Sequence, residues 1–382
     1  MKTRPESGRS WADASDGLRA RLEPAGLTQV LGSARWNGTG AGDWHDDHGN
    51  LPPAGTVPEG LQYAFAWDVK AAPDGTRDGR TPRWYPQGIT TTFDGYGGPH
   101  PALGRNIVAV SWYGKNGYGE RGARVSFLDV TADSPNPVYQ HVLLVEPRQV
   151  RADSRPTYRP VEMHAGGMAW VGNFLYIANR PGQSTTSRRG GMSVFDITKM
   201  VKVTGGEAFR DRFGYRNGKY YAYGYHYVLP LHHIYENAGG SDFQHSQLSL
   251  DRTQAGGHSI VSSEYTTATS GRAARWNLAN SGYIADGDPD EGWSLRTERV
   301  QGAVSVTSGA YYSANSRRAH PNDPPLPGQL WKQMPRGSAP RKHRRLAVGP
   351  EDLSYDPAHG GSVWALGEHP FQRRVYRVGL DE

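Results

Sequence analysis

Short runs in which apolar and polar residues alternate cover most of this chain, and Gly, Pro, Asn or Asp interrupts each run. Because alternate side chains of a strand face opposite sides, such runs predict β-strands of roughly 4–8 residues. Helical spacing is confined to the stretch from Ser10 to Ala25, where Asp13 or Ser15 is suited to cap a short amphipathic helix. The pattern predicts an all-β protein, which is a sandwich, a barrel or a propeller.

A weak repeat favours the propeller among these architectures. Five short segments have a similar sequence. Each begins with a small or polar residue, continues with a Gly or polar residue and an aliphatic residue, and usually ends with Thr, Ser or Ala. The anchor positions of these segments are Gly88, Gly167, Gln247, Gly302 and Asp352. The steps between the anchors are 79, 80, 55 and 50 residues, and a four-stranded blade needs roughly 40–50 residues. We therefore expect single blades, two of which carry insertions.

The number of strand-like runs supports the same architecture. Each of the first four intervals contains four runs, whereas three runs follow the last anchor. A ring of sheets must close to remove its edges, and the alternating segment Leu61–Val69 is suited to supply the missing strand. The sequence thus predicts a five-bladed β-propeller over residues 59–382, closed by an N-terminal strand and preceded by an arm of residues 1–58 with a short helix. The alternatives are a six-bladed propeller and an irregular sandwich.

Several segments of the repeat region are similar to those of a known protein group. They are His164–Trp170, Phe174–Ala178, Ser193–Asp196, Tyr227–Pro230, Leu248–Thr253 and Gly349–Tyr355. Together they resemble actinobacterial, usually exported, propeller-like proteins, and the resemblance runs from about Tyr85 to the C-terminus. The group has no settled activity, so the resemblance implies the fold and export but assigns no catalytic residues.

Missing residue types and motifs exclude several kinds of chemistry. The chain has 382 residues and no Cys, which excludes disulfides, thiol catalysis and cysteine-ligated metal centres. It lacks a Gly-Lys-Ser/Thr phosphate loop, a Gly-x-Ser-x-Gly elbow and a dinucleotide fingerprint after a strand, so we expect no nucleotide cofactor. The first residues are basic and lack the apolar stretch of a secretion signal. We expect a cytoplasmic protein, or a secreted one if a leader has been removed.

Charge and hydropathy limit the partners. The 43 basic and 37 acidic residues give a net charge of +6, and the basic residues are spread along the chain, so we expect no nucleic-acid partner. The chain has no run of 18 apolar residues, which predicts no membrane-spanning helix. We expect a monomer that binds a small molecule or a glycan.

Candidate chemistry lies at the repeat anchors, because the first strand of each blade lines the central channel of a propeller and ligands bind near the start of those strands. We expect acid–base catalysis by His164 and His245 together with Glu351 or Asp352. Adjacent strand residues face opposite sides, so we expect one of these two carboxyl groups to reach the channel and the other to brace backbone. The residues expected to bind substrate are Gln87, Gln301, Gln244, Trp84, Tyr85, His226 and His232.

The expected reaction is that of a lyase, a cyclase or a hydrolase acting on a small polar or polycyclic molecule. The inner strands begin with Gln87, His164 and Gln301 where a glycosidase would need Asp or Glu, which disfavours a two-carboxylate glycosidase mechanism. His226 and His232 flank Pro230, and this pattern predicts an outer strand that leads into a loop over the channel.

Two alternatives remain open at the level of the sequence. A non-catalytic propeller would bind glycan or protein through aromatic side chains such as Trp84 and Trp112. We predict no cofactor, but two His and a carboxylate from different blades also fit a divalent metal. The segment Asp43–His48 is a second, weaker group of candidate metal ligands.

Overall fold

Strands dominate the computed structural model, so the all-β prediction is confirmed. The structure describes residues 3–5, 11–40, 56–68, 70, 74–115, 117–134, 136–148, 155–184, 189–206, 208–253, 258–285, 287–317 and 326–381. Its helices are Trp11–Arg19, Leu27–Gly32 and Thr92–Tyr96, with short 3-10 turns at Gly119–Arg121, Ile197–Lys199 and Pro357–His359. Within these ranges, none of the helices has the length and apolar character needed to cross a bilayer.

Five antiparallel meanders of four strands each make up most of the described sheet. Meander 1 consists of Trp84–Thr91, Ile107–Gly114, Ala123–Asp129 and Val138–Arg148. Meander 2 consists of Met168–Val171, Phe174–Asn179, Gly191–Asp196 and Tyr227–Asn237. Meander 3 consists of Gln247–Asp251, Ser259–Ser263, Arg272–Asn277 and Glu291–Ser294. Meander 4 consists of Val300–Ser305, Tyr311–Arg317, Leu326–Gln333 and Arg341–Val348. Meander 5 consists of Pro350–Asp356, Ser362–Gly367, Arg374–Gly379 and Leu61–Ala66.

Meander 5 takes its fourth strand from the N-terminal part of the chain. Leu61–Ala66 pairs antiparallel with Arg374–Gly379, and Phe65 lies opposite Val375. The alternation predicted at this segment is visible in its burial, because Tyr63 and Phe65 are buried while their neighbours are more exposed. This pairing joins the N-terminal part of the chain to its end.

The first strand of each meander contacts the first strand of the next meander. The first strand of meander 5 contacts that of meander 1, so these contacts form a closed ring. This close approach requires small residues. A Cβ atom at Gly167 would lie 2.4 Å from Cα of Gln247, and one at Gly302 would lie 2.7 Å from Cα of Asp352. Glycine at these two anchors therefore allows neighbouring first strands to meet.

The outer part of meander 2 differs from the prediction. Its fourth strand covers Tyr227–Asn237, and residues Lys219–Ala222 form a separate hairpin with Phe213–Arg216. The strand contains Pro230 and continues past it, with a β-bulge at His232 where the register shifts. Proline has no backbone N–H to donate to the sheet, and a nearby β-bulge, where regular pairing is interrupted, accommodates such a residue. The prediction that the chain forms a loop over the channel after Pro230 was therefore wrong.

The described part of the N-terminal arm packs on meanders 1 and 2. Its predicted helix is shorter than expected, and the second helix, Leu27–Gly32, was not predicted. Apolar residues of both helices, among them Leu18 and Val30, are buried in the core. The remaining short strands, which pair with the meanders, the arm or one another, are Thr3–Pro5, Glu23–Pro24, Trp36–Asn37, Thr39–Gly40, Thr157–Pro160 and Val201–Lys202.

A buried ionic network lies against meander 1. Asp78 accepts hydrogen bonds from Arg124 Nη2 at 2.5 Å and from Tyr139 Oη at 2.8 Å, and it lies 2.9 Å from Nε2 of His141. The side chains of Asp78, Arg124 and His141 are fully buried. Burial alone would raise the pKa of Asp78, but His141 and Arg124 hold it well below its usual range. We assign this network a structural role, because it has no access to solvent.

Candidate active site

One end of the five meanders collects polar side chains, and we call this end the mouth. In an antiparallel meander, the first strand begins at the end where the second strand finishes. Residues near the start of first strands and just after second strands therefore share this end. The side chains considered there are Tyr85, Gln87, Tyr113, Lys115, His164, Arg180, Gln301, Glu351, Glu368 and Arg373.

Two carboxyl groups are hydrogen-bonded to each other at the mouth. Glu351 lies in the first strand of meander 5, and Glu368 directly follows the second strand. Glu351 is only 3% exposed. Burial, reinforced by the negative charges of Glu368 and Asp352, raises the pKa of Glu351 well above its usual range. Glu351 therefore keeps its proton to a higher pH than an exposed glutamate does.

Two glutamines fix the positions of these carboxyl groups. Gln301 Nε2 donates to Glu351 Oε1 at 2.8 Å. Gln87 Nε2 donates to Glu368 Oε2 at 3.4 Å and to the carbonyl oxygen of Pro86 at 2.9 Å. The sequence predicted both glutamines as substrate-binding residues, and the structure places them on the carboxyl pair instead, where they orient it.

A tyrosine with two cations lies beside the pair. The Nζ atom of Lys115 is 4.5 Å from the centre of the Tyr85 ring, and the guanidinium of Arg373 is 5.1 Å from it. Arg373 Nε also donates to the carbonyl oxygen of Glu368 at 2.8 Å, which holds the turn that carries this carboxyl. Burial lowers the pKa of Arg373 to about 10. Tyr85 therefore lies at the mouth, as the sequence predicts.

His164 lies at the mouth against Tyr113, with 4.4 Å between the two ring centres. Burial, together with the positive charges of Arg180 and Lys115, lowers the pKa of His164 to about 4. The imidazole is therefore neutral at neutral pH. The sequence predicts acid–base catalysis by His164, but burial and the neighbouring cations favour a neutral hydrogen-bonding group rather than a proton shuttle.

A cavity opens beside the Tyr113–His164 pair. Its volume is about 400 Å³, within the usual range for small-molecule sites. Its other polar lining includes Glu162, Gln183 and Ser184. A small molecule in this cavity would contact the aromatic and imidazole rings of the mouth.

Asp352 has a different role from its neighbour Glu351. Its Oδ2 atom accepts hydrogen bonds from the backbone N–H of Ile89 at 3.1 Å and of Met168 at 2.8 Å. The side chain is fully buried, and burial raises its pKa well above the usual range. One carboxyl thus lies at the mouth while the other braces the backbone of meanders 1 and 2, as strand alternation predicts. We therefore do not assign Asp352 to catalysis.

His245 also has a structural environment. It is fully buried, its Nε2 lies 3.0 Å from Asn237 Oδ1, and its Nδ1 lies 3.1 Å from Ser262 Oγ. Burial lowers its pKa to about 3. Both ring nitrogens are thus occupied by structural partners, so we remove His245 from the proposed catalytic group. Gln244, which precedes it, accepts a hydrogen bond from Arg180 Nη2 at 2.7 Å and holds that cation near the mouth.

Trp84 and Trp112 cannot make the aromatic contacts with a ligand that the sequence predicted. Trp84 and Trp112 have no exposed surface. Arg124 lies over both rings, 4.7 Å from each ring centre, and the Trp84 indole donates to Asp74. These tryptophans belong to the core around the buried ionic network, so Trp84 as a substrate-binding residue was wrong.

The two predicted histidines of meander 2 lie away from the mouth. His226 precedes the fourth strand, Tyr227–Asn237, and a fourth strand begins at the end opposite the mouth. His232 lies in the bulge of that strand, with its Nε2 2.6 Å from Tyr283 Oη and its ring stacked on Phe174. Phe174 starts a second strand, which also begins at the opposite end. Neither histidine is therefore placed to contact a ligand at the mouth.

The structure offers no support for a metal among the residues that it describes. No group of three or more His, Asp or Glu side chains within the described ranges could hold a metal ion. The sequence segment Asp43–His48, also considered as a ligand group, lies outside the described residues.

Sequence reasoning missed Glu368, Lys115, Arg180 and Arg373. The first three follow the second strands of meanders 5, 1 and 2, and the antiparallel arrangement brings these positions back to the anchors. Polar residues just after each predicted second strand would have indicated these further members of the site.

No protein-family model and no curated protein matches the chain. Among solved structures, the chain is similar to a mutant levansucrase from B. megaterium, with 7% identity, a TM-score of 0.42 and coverage of 76% of this chain and 81% of that one. It is also similar to a native arabinanase from Bacillus subtilis, with 8% identity, a TM-score of 0.36 and coverage of 71% and 89%. A third similar structure is PhoX from Pseudomonas fluorescens in complex with vanadate, with 8% identity, a TM-score of 0.38 and coverage of 85% and 94%. These distant similarities assign no activity to this chain.

Proposed function

We propose that the five meanders are the blades of a β-propeller closed by Leu61–Ala66, and that its mouth is the active site of a hydrolase. The cyclic contacts between the first strands support the five-bladed arrangement. The observation that carries the functional proposal is the carboxyl pair of Glu351 and Glu368, whose negative charges help to raise the pKa of Tyr113, a residue that lines the cavity.

The carboxyl pair supplies both an acid and a base. Glu351 is the proton donor because burial raises its pKa, and Glu368, whose side chain is 21% exposed, is the base. Glu368 removes a proton from water as the water oxygen attacks a carbonyl carbon. Glu351 donates its proton to the carbonyl oxygen, which gives a neutral tetrahedral intermediate. As the intermediate collapses, Glu368 gives the proton that it took from water to the leaving alcohol oxygen, and Glu351 takes back a proton from the hydroxyl that becomes the carbonyl of the acid. The net reaction adds one water across an ester bond.

The closeness of the two carboxyl groups selects the bond type. Glycosidases that use two carboxyls keep them about 5 Å or more apart on either side of the scissile bond. Glu351 and Glu368 are directly hydrogen-bonded, so they act together from one side. This arrangement suits water addition to a planar carbonyl carbon and favours esters or lactones over glycosides.

The surrounding groups favour a hydroxylated substrate. Neutral His164 and the Tyr113 hydroxyl provide hydrogen bonds at the cavity, while Lys115 and Arg180 provide positive charge for oxygen-rich groups. Tyr85 adds a flat apolar surface at the same end. The reaction as proposed requires no cofactor. We therefore propose a lactone or ester of a sugar-like molecule as substrate.

A panel of sugar lactones and chromogenic esters tests the proposal. We expect the protein to hydrolyse at least one of them, and Glu351→Gln and Glu368→Gln each to lower kcat by about 100-fold or more. Glu23→Gln is the matched control, because Glu23 is an exposed carboxyl in the N-terminal arm, and it should keep full activity. Hydrolysis at the unchanged rate in both mouth variants would overturn the assignment, as would failure to hydrolyse every ester and lactone in the panel.

A further inference from the structure

A second cavity lies between meanders 3 and 4, and its lining residues do not overlap those of the mouth. Its volume is about 470 Å³, enough for a small ligand. One wall is the loop that joins Glu291–Ser294 to Val300–Ser305, and the other is formed by the three outer strands of meander 4.

The cavity is lined by an excess of positive charge. Arg296, Arg299, Arg317 and Lys342 contribute four cations, whereas Glu298 contributes one carboxylate. Glu298 is already paired with Arg299, whose Nη1 lies 3.1 Å from Glu298 Oε1. The cationic groups of the other three residues lie within salt-bridge distance of no described carboxylate. Cations that converge on a cavity without such compensation attract an anionic group.

Two polar atoms in the cavity wall lack protein partners. The indole N–H of Trp331 and the side-chain oxygen of Asn315 have no hydrogen-bond partner among the described residues, but both atoms are shielded from solvent. Asn315 is only 5% exposed, and its amide N–H group donates to the carbonyl oxygen of Glu298. Trp331 is partly exposed, so the part of this wall that a ligand can reach is the Trp331 ring.

The loop conformation brings two of the cations to the cavity. Arg296 and Arg299 have φ angles of +53° and +52°, which are uncommon for residues with a side chain. The backbone is fixed by a hydrogen bond from the Arg299 N–H to the Thr266 carbonyl oxygen at 2.6 Å, and by one from the Ser316 N–H to the Arg299 carbonyl oxygen at 3.2 Å. The loop is therefore held in a strained form that keeps both arginines at the cavity.

We propose that this second cavity binds an anionic sugar, by its carboxylate or phosphate group. Arg296, Arg317 and Lys342 bind the anionic oxygens, and Trp331 provides a ring face. The ligand class follows from the combination of these cations with one aromatic surface, since the cations favour a charged ligand over a neutral sugar. This site is independent of the carboxyl pair at the mouth.

Calorimetric titration of the full chain tests the proposal with three probes: digalacturonate, glucose 6-phosphate and the neutral disaccharide maltose. We expect at least one anionic probe to bind at least about tenfold more tightly than maltose, and added salt to weaken its binding. Preference for digalacturonate would identify a carboxylate site, and preference for glucose 6-phosphate a phosphate site. Equal or weaker binding of both anionic probes relative to maltose would overturn the proposal.

Substitutions locate the binding. Arg296→Gln and Arg317→Gln should each weaken binding of the anionic probe by about tenfold. Arg341→Gln removes the same charge from an exposed residue beside Lys342 that does not line the cavity, and it should bind as the unchanged protein does. Lys342→Gln, at an exposed position, covers the case in which a loop variant fails to fold. Glu351→Gln should bind normally, which separates this site from the mouth. Binding that all three cavity variants retain would contradict the proposal.

Discussion

The side chain of Glu351 is hydrogen-bonded to that of Glu368 across two neighbouring strands of meander 5. Pro350 lies opposite Gly367, and each glutamate directly follows one member of this pair, so the two are diagonal neighbours that long side chains can bridge. Glu351 is held by strand pairing, and the turn that carries Glu368 is held by the Glu368 N–H bond to the carbonyl oxygen of Gly349 and by Arg373. A pair positioned in this way keeps its geometry when substrate enters, which general acid–base catalysis requires.

Glu351→Gln should stabilise the protein at neutral pH while it abolishes activity. The folded state raises the pKa of Glu351 above its ordinary value of 4.5. Such a carboxyl destabilises the fold progressively as pH rises above 4.5, because the folded chain resists losing the proton. We therefore expect the variant to have a higher free energy of unfolding than the unchanged protein at pH 7.

Urea unfolding at pH 7 and pH 4 measures this gain. The difference between the variant and the unchanged protein should shrink toward pH 4, where the carboxyl is protonated in both states. Glu23→Gln should show no gain at either pH. If the stability gain of the variant over the unchanged protein were smaller at pH 7 than at pH 4, the raised pKa of Glu351 would be contradicted.

Asp352→Ala should destabilise the whole fold. Asp352 Oδ2 accepts the backbone N–H groups of Ile89 and Met168, and removal of the acceptor leaves two buried donors unsatisfied. The expected loss is about 2–5 kcal/mol. Asp352→Asn should lose less, because its amide oxygen still accepts these bonds. Equal stability of Asp352→Ala and the unchanged protein in chemical denaturation would show that the bonds do not hold meanders 1, 2 and 5 together.

The architecture was largely predictable because strand patterns are local. The anchor segments and the alternating segment near Tyr63 indicate which side of the sheet each residue faces. Strands that follow one another in the chain then pair as a meander. The outer strand of meander 2 was less predictable, because Pro230 is usually a strand breaker. Its tolerance depends on the bulge at His232, which is set by pairing with a distant strand.

The site was predictable only in part. Glu351, Tyr85 and His164 were found because the starts of the first strands converge on one end. Burial cannot be read from residue type, so His245 and Trp84 were given functional roles although packing encloses both of them. Glu368 lies outside every anchor segment, and only strand pairing reveals that it meets Glu351.

Acid should destabilise the protein through His245. Its pKa is lowered to about 3 in the folded state from an ordinary value of 6.5. Stability from the neutral imidazole is therefore complete above 6.5 and is lost as pH falls from 6.5 toward 3. His245→Gln keeps an uncharged polar group and should show a weaker dependence of the unfolding free energy on pH in this window. The same pH slope in both proteins, measured by urea unfolding, would rule out this contribution.

The Asp78–Arg124 pair should show strong coupling in a double-mutant cycle. Asp78→Asn leaves the buried Arg124 guanidinium without its carboxylate, and Arg124→Met leaves Asp78 without its cation. Each single change should cost about 3–5 kcal/mol. The double variant should lose less than the sum of the two, because it buries no unpaired charge. Additive losses in the free energy of unfolding would show that the pair is not energetically coupled.

Lys115→Gln should raise two pKa values at the mouth in the same direction. Lys115 lowers the pKa of His164 by repelling the imidazolium form, and it lowers the pKa of Glu351 by stabilising the carboxylate. Loss of its charge therefore favours the protonated form of both groups. Because Lys115 is exposed and screened by solvent, each increase should be only a few tenths of a pH unit.

Titration by NMR measures both changes, through the ring signals of His164 and the carboxyl carbon of Glu351. Lys219→Gln is the matched control, because Lys219 is an exposed lysine in the hairpin after Phe213–Arg216 and perturbs neither group. Both pKa values should rise in the Lys115 variant and stay constant in the control. If one rises and the other falls, Lys115 does not act on both groups through its charge. If Glu351 is the catalytic acid, the pH optimum of activity should also rise in the Lys115 variant, because a higher pKa keeps the Glu351 proton in place at higher pH.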